Sequence, residues 1–158
     1  MSRLQVSSEL NKIAKALALS KGRGILVGGA VRDHFMDRRI SKDLDVEVFG
    51  LSMQELESVL QKFGNIHATG KSFGVLKLKT PTAEYDFSLP RREQKTGKGH
   101  RGFKIITDPR MSFKEAASRR DFTVNSMGYG LLENTLLDPF EGIEDIKHKK
   151  LRLSLIHI

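Results

Sequence analysis

The chain is predicted to be an α/β domain, because its apolar residues switch between two periods. Over 8–19, Leu10, Ile13, Ala14 and Leu17 recur at helical spacing, whereas over 73–79 and 84–89 apolar and polar residues alternate as in half-buried strands. Its 158 residues suffice for one domain with a real core, and 39% hydrophobic with 29% charged residues is ordinary globular composition.

The elements follow in order. The helix over 8–19 ends near Gly22, and Ile25, Leu26 and Val27 read as a buried strand. Gly28 and Gly29 lead into a helix-compatible segment with Arg32 and Asp33, then a strand carrying Asp43 and Asp45. Ser52 and Glu55 form a capping box, after which Met53, Leu56, Val59, Leu60 and Phe63 line one helix face as far as Gly64. The strand over 73–79 puts Leu76 and Leu78 opposite Lys77 and Lys79; Pro81 and Thr82 turn the chain. In the next strand Asp86 and Ser88 share a face, with Tyr85, Phe87 and Leu89 on the other. Residues 91–104 are rich in glycine and positive charge, with Glu93 the only acid, and read as a loop without its own secondary structure. It serves either as a cover over a bound anion or as a solvated connector. A second capping box, Ser112 with Glu115, opens a helix expected to run into Arg119, Arg120 and Asp121. Residues 128–138 read as a hairpin turning at Glu133 and Asn134, and 139–149 as one short helix.

Composition excludes several classes. There is no cysteine, so disulfides and thiolate metal sites are ruled out, and the five histidines lack metal-ligand spacing. No apolar run approaches membrane-spanning length, and the first ten residues carry no signal-peptide block, so a cytoplasmic protein with no membrane partner is expected. A net charge of +8 favours an anionic partner, nucleic acid or nucleoside triphosphate.

The chemistry concentrates in 24–50. Gly28 and Gly29 allow a ligand close to the main chain, and the free N–H groups of a following helix favour phosphate. Arg32 adds a guanidinium able to grip phosphate oxygens in bidentate fashion. Asp43 and Asp45, two apart on a strand, project to one face while Leu44, Val46 and Val48 face the core. Such a pair suits Mg²⁺, which takes one or two carboxylates plus substrate phosphates. A lone Asp-x-Asp is more often a solvated acidic face; the glycine–arginine cradle one helix upstream favours the metal reading.

Three segments resemble one known family: Gly28-Gly29-Ala30-Val31-Arg32-Asp33, then Lys42-Asp43-Leu44-Asp45-Val46-Glu47-Val48-Phe49-Gly50, then Arg119-Arg120-Asp121-Phe122-Thr123-Val124-Asn125-Ser126-Met127. Together they resemble the catalytic head of the class II tRNA nucleotidyltransferases, the CCA-adding enzymes, whose head the bacterial poly(A) polymerases share. The resemblance spans residues 24–151.

The resemblance implies a polymerase-beta-like nucleotidyltransferase head, a small mixed, largely antiparallel sheet packed against helices. It implies transfer from CTP or ATP to the 3′ end of tRNA or another RNA, with two Mg²⁺ on Asp43 and Asp45. Asp86 is expected as the third acidic group, preferred over Glu47, which strand twist carries away. Gly28, Gly29, Arg32, Arg91 and Arg120 are expected on the triphosphate, and Asp121 and Asn125 on the nucleotide or its sugar. The expected catalytic domain is 1–151, with 152–158 a short tail where the family continues into neck, body and tail. Two rival readings are a poly(A) polymerase head and a non-catalytic nucleotide- or RNA-binding fragment.

Overall fold

In the computed structural model, which describes residues 4–39, 43–95, 103–120 and 122–153 without the side chains of 93–95 and 103–105, Ser7 opens the first helix. Its Oγ accepts from the Leu10 N–H at 3.1 Å, satisfying one of the unpaired donors at the helix start. The elements are α1 (Ser8–Leu19), β1 (Arg23–Val27), α2 (Gly29–Phe35), β2 (Asp43–Phe49), α3 (Met53–Leu60), β3 (Asn65–His67) and β4 (Val75–Lys79). They continue with β5 (Glu84–Ser88), β6 (Arg91–Lys95), β7 (Phe103–Thr107), α4 (Phe113–Ala117), β8 (Gly128–Gly130), β9 (Thr135–Leu137) and α5 (Gly142–Lys147).

A seven-stranded mixed sheet runs in the order β3-β4-β5-β2-β1-β8-β9. β2 and β5 are parallel, and the neighbours on either side of them are antiparallel. Strand alternation sorts the sheet into two faces. Leu26, Val46, Val48, Leu76, Leu78 and Phe87 lie on one, buried together with Leu10, Ile13 and Leu17 of α1 and Leu56 and Leu60 of α3. Each such side chain contributes about 1.5–3 kcal/mol by leaving water. On the far side of that core, Glu9 accepts from Tyr85 Oη and Thr80 Oγ1, both at 2.8 Å, tying α1 to the β4–β5 hairpin.

On the other face Ile25, Val27 and Phe49 form a second small core with Met111 and Ala116. Gly128 makes that packing possible: a Cβ there would sit 2.5 Å from Phe113 Cζ and 2.7 Å from Ile25 Cγ2. At the start of β2, Asp43 and Asp45 are exposed.

Several local expectations need correcting. Within 91–104, expected to be a loop, residues 96–102 lie outside the described residues, while Arg91–Lys95 (β6) pairs antiparallel with Phe103–Thr107 (β7), Arg91 opposite Thr107 and Lys95 opposite Phe103, as a separate two-stranded ribbon. The polar, charged β6 gives no strand signal, and the apolar Phe103, Ile105 and Ile106 of β7 are not read as its partner. Arg92 braces the base of the ribbon, giving one hydrogen bond to Asp108 at 2.7 Å and one to Glu115 at 2.6 Å. That second bond uses the carboxylate expected to close a capping box on Ser112, so only half the box forms, Ser112 Oγ accepting from Glu115 N–H. The α4 helix stops at Ala117; Arg119 and Arg120 follow in a tighter turn, their N–H groups bonding to the carbonyls of Ala116 and Ala117. Phe73 and Gly74 lie outside β4, Phe73 closing a 3₁₀ turn and Gly74 left-handed at φ 79°. Leu44 packs against the core as expected, though it is only half-buried.

Candidate active site

Strand register assembles the acidic groups. β1 and β2 run antiparallel with Val27 opposite Asp45, so the chain leaves β1 at Gly28 beside that carboxylate. β2 and β5 pair in parallel with Asp45 opposite Asp86 and Asp43 opposite Glu84. Neighbouring strands lie about 4.8 Å apart, and paired residues share a face. Asp43, Asp45 and Asp86 therefore gather from two strands onto one open patch. Asp45 shows the effect: burial, then Asp86 and Asp43, push its carboxyl above the usual range, against the opposing pull of Arg120 and Lys77. Lys77, opposite Asp86 on β4, holds its Nζ 3.7 Å from Asp86 Oδ1.

Among the described residues no three acidic or histidine side chains converge to hold a metal ion. Asp43 and Asp45 nonetheless fit Mg²⁺, which completes its shell with water and substrate phosphate rather than with a full protein cage. Their mutual repulsion is the electrostatic condition that a cation relieves.

Of the glycine pair, Gly28 has the unusual backbone. Gly28 has φ 77° and ψ −149°, a region essentially reserved for glycine, and a Cβ there would lie 3.3 Å from Asp45 Oδ2. It is the N-cap of α2 and makes no side-chain cap hydrogen bond, so the helix starts beside Asp45. Gly28→Ala is expected to cost about 1–3 kcal/mol, seen as a fall in Tm of about 3–10 °C, and to weaken triphosphate binding by crowding Asp45. Thermal melting and nucleotide titration check it; unchanged values in both would show that the backbone here is free to relax.

Arg32 reaches across the fold. Its Nη1 donates to Asn125 Oδ1 and its Nε to Asp33 Oδ1, both at 3.0 Å, so residues 93 apart in sequence meet. This contact brings the glycine segment and the Arg-Arg-Asp segment to one place. Beside them lies an open cleft of about 530 Å³, with Phe122, Val124, Met36 and Ile146 as apolar wall and Arg38 and Lys149 at its lining. Sequence reading missed this cleft, although the basic residues of 147–150 were a signal for it.

The remaining expected residues spread further. Arg120 is half-buried and acts on both Asp45 and Glu47. Arg91 is exposed, donates through Nη1 to the Phe73 carbonyl at 2.6 Å, and lines a smaller pocket with Arg120 rather than the glycine turn. Asp121 lies outside the described residues. Below the site, Asp145 on α5 accepts from Thr123 and from Arg152 Nε at 2.8 Å. Burial would raise its carboxyl, but those bonds outweigh it and hold the group below the usual range, anchoring the segment that carries Asn125.

A mixed sheet with a glycine turn after its first strand and paired aspartates at the start of the next is the head fold of the polymerase-beta-like nucleotidyltransferases. The Poly A polymerase head domain family matches residues 25–152, and the chain belongs to that family. It is 36% identical over 130 residues to a Multifunctional CCA protein of Xylella fastidiosa (strain 9a5c), covering 82% of this chain and 29% of that protein. The chain thus spans less than a third of that relative's length. Among solved structures it resembles a tRNA nucleotidyltransferase complexed with a primer tRNA and an incoming ATP analog. The TM-score is 0.69 at 28% identity, over 89% of this chain and 38% of that one. The CCA-adding enzyme of Bacillus stearothermophilus in complex with CTP shares the fold, with TM-score 0.72 at 24% identity over 92% of this chain and 32% of that one.

Proposed function

We propose that this chain carries the catalytic head for nucleotidyl transfer from CTP or ATP to the 3′ end of RNA, as in CCA addition to tRNA. The observation that carries the reading is Gly28, whose backbone lies against Asp45 and so sets a phosphate cradle beside a carboxylate pair. Family membership supports it, as do the CTP, ATP-analog and primer-tRNA complexes of its structural neighbours.

In this reading the first-turn N–H groups of α2 and the guanidinium groups of Arg32 and Arg120 hold the triphosphate. The Arg32–Asn125 bond fixes one edge of that guanidinium, leaving other donors of its five for phosphate. Asp43 and Asp45 would hold Mg²⁺, with Asp86 as the third acidic group on the adjacent strand. When bound, the metal activates the attacking hydroxyl and neutralises charge on the triphosphate. The RNA 3′-oxygen forms the new bond to the α-phosphorus, and the bond to the leaving pyrophosphate breaks. The protein's share is orientation and charge stabilisation. The open cleft beside Arg32 and Asn125 offers apolar walls for the nucleoside.

Primer extension on a tRNA ending at its discriminator base tests this, with CTP and ATP supplied together and singly. Ordered addition of C, C and A is the expected product. A run of A would assign a poly(A) polymerase instead, and no product with intact nucleotide binding would leave a binding module.

A further inference from the structure

Three arginines line one small pocket beside the carboxylate patch. Arg91 comes from β6, Arg119 and Arg120 follow α4, and Glu47 of β2 and Ser88 of β5 line the same space of about 200 Å³. Like charges around one cavity repel, and ties made outside it hold them there. Arg91 Nη1 donates to the Phe73 carbonyl at 2.6 Å. Arg92, its neighbour on β6, joins Asp108 at 2.7 Å and Glu115 of α4 at 2.6 Å. The ribbon and α4, which bring the arginines from two directions, are thus fastened to each other. A cationic cavity kept assembled in this way suits an anionic group.

Glu47 narrows the ligand. It is only 8% exposed, and its Oε1 has no hydrogen-bond partner among the described residues. Leaving such an oxygen unpaired in the interior is costly. The last torsion of a glutamate is broad and two-fold, so either oxygen can turn to the cavity that the side chain lines. There a carboxylate repels a bare phosphate but accepts from a hydroxyl. A group that satisfies the whole pocket carries a phosphate and a hydroxyl together, as a ribose phosphate does. The volume equals roughly six or seven water molecules' share of the liquid, room for one sugar–phosphate unit and not for a whole nucleotide. Phe73, whose carbonyl holds Arg91, leaves 54% of its surface in water. An exposed ring among arginines is the composition on which single-stranded bases stack.

The position fits the attacking strand. Asp45 pairs with Asp86 and Glu47 with Ser88 on parallel strands, so the pocket lies one same-face step, about 7 Å, beyond the carboxylates. Gly28 meets Asp45 from β1, the neighbour of β2 on the side away from β5. In-line transfer sets the attacking and leaving oxygens on opposite sides of the phosphorus. A triphosphate on the glycine turn therefore leaves the β5 side to the nucleophile.

We infer that this pocket is the subsite for the sugar–phosphate of the RNA strand being extended. Arg91 and Arg119 take its backbone phosphate, and Glu47 accepts from its 2′-hydroxyl, the group that tells RNA from DNA. The inference rests on the reading of the glycine turn as the triphosphate cradle. It assigns Arg91 to the acceptor strand, where the resemblance implies the triphosphate.

Fluorescence anisotropy with a single-stranded RNA oligonucleotide and its all-deoxy counterpart tests this, beside titration of inorganic triphosphate with Mg²⁺. Wild type is expected to prefer the RNA about tenfold, the scale of one hydrogen bond to a charged group. Arg91→Ala and Arg119→Ala should each weaken RNA binding about 3–10-fold and leave triphosphate affinity within about twofold. Each should also reduce the slope of log affinity against log salt by about 0.7, one phosphate contact's worth on a single strand. Phe73→Ala should weaken RNA binding with the slope unchanged, since stacking releases no counterions. Arg32→Ala should do the reverse of Arg91→Ala, losing triphosphate and keeping RNA. Glu47→Leu should bring RNA and DNA within about twofold of each other. Glu47→Gln keeps an acceptor oxygen and should retain part of the preference, and it supplies the comparison if the leucine variant folds poorly. Equal wild-type affinity for RNA and DNA, or arginine variants that lose triphosphate and RNA alike, would overturn the inference while leaving the triphosphate cradle in place. Wild-type protein that binds no triphosphate would overturn both.

Discussion

Asp45→Asn is expected to abolish measurable nucleotidyl transfer while raising the thermal stability of the metal-free protein. The rate loss should be roughly 10²–10³ or more, the range seen when one charge-stabilising group is removed from a transition state. The stability gain follows from linkage. Burial, Asp86 and Asp43 raise the Asp45 carboxyl in the folded protein above its unfolded value. A group shifted this way contributes stability that is full below its unfolded pKa and is lost as pH rises through its folded pKa. At neutral pH wild type has lost that contribution, and an amide, which never ionises, has no such loss. The variant should therefore melt higher than wild type in chelator-treated buffer at pH 7, and the difference should shrink as the pH falls into the carboxylate range. Added Mg²⁺ should stabilise wild type and not the variant. A variant that melts lower at pH 7, or responds to Mg²⁺ as wild type does, would remove Asp45 from the metal patch.

Much of that patch was legible before the fold was known, for a physical reason. Strand periodicity is local, so Asp43 and Asp45 had to share a face and Asp86 had to oppose Tyr85 and Phe87, as they do. Gly28 was legible as a special backbone position because few residues tolerate its φ of 77°. What stayed hidden depends on contacts distant in sequence. Glu47 reads as one more exposed acid on that face until α4, about seventy residues later, closes over it. The β6–β7 ribbon is held by its ladder and by Arg92 to Asp108 and Glu115, and the polar β6 gives no strand signal of its own. Arg119 and Arg120 were expected on a helix because Ser112 opens one, but Arg92 claims the Glu115 carboxylate and the helix ends after five residues. The bond from Arg32 to Asn125 likewise had no signature in spacing.

That bond sets the second large effect. Arg32→Ala removes a guanidinium placed beside the glycine cradle, and a charge-assisted contact to phosphate contributes about 1.5–3 kcal/mol. Affinity for a nucleoside triphosphate should fall roughly 10–150-fold. The loss should be the same within about twofold for CTP, ATP, GTP and UTP, because a phosphate contact carries no information about the base. Asn125→Ala leaves the arginine in place but frees its Nη1 edge, so a smaller loss of about 2–10-fold is expected, the worth of one hydrogen bond. Combining the two should cost little more than Arg32→Ala alone, since Asn125 acts through the arginine it orients. Isothermal titration with all four nucleotides and both single variants, then with the double variant, reads each of these. Additive losses would mean that Asn125 meets the nucleotide independently, on its sugar for instance. A loss in Arg32→Ala confined to one base would place the guanidinium on a base edge, in the cleft it borders with Phe122 and Val124, and not on phosphate.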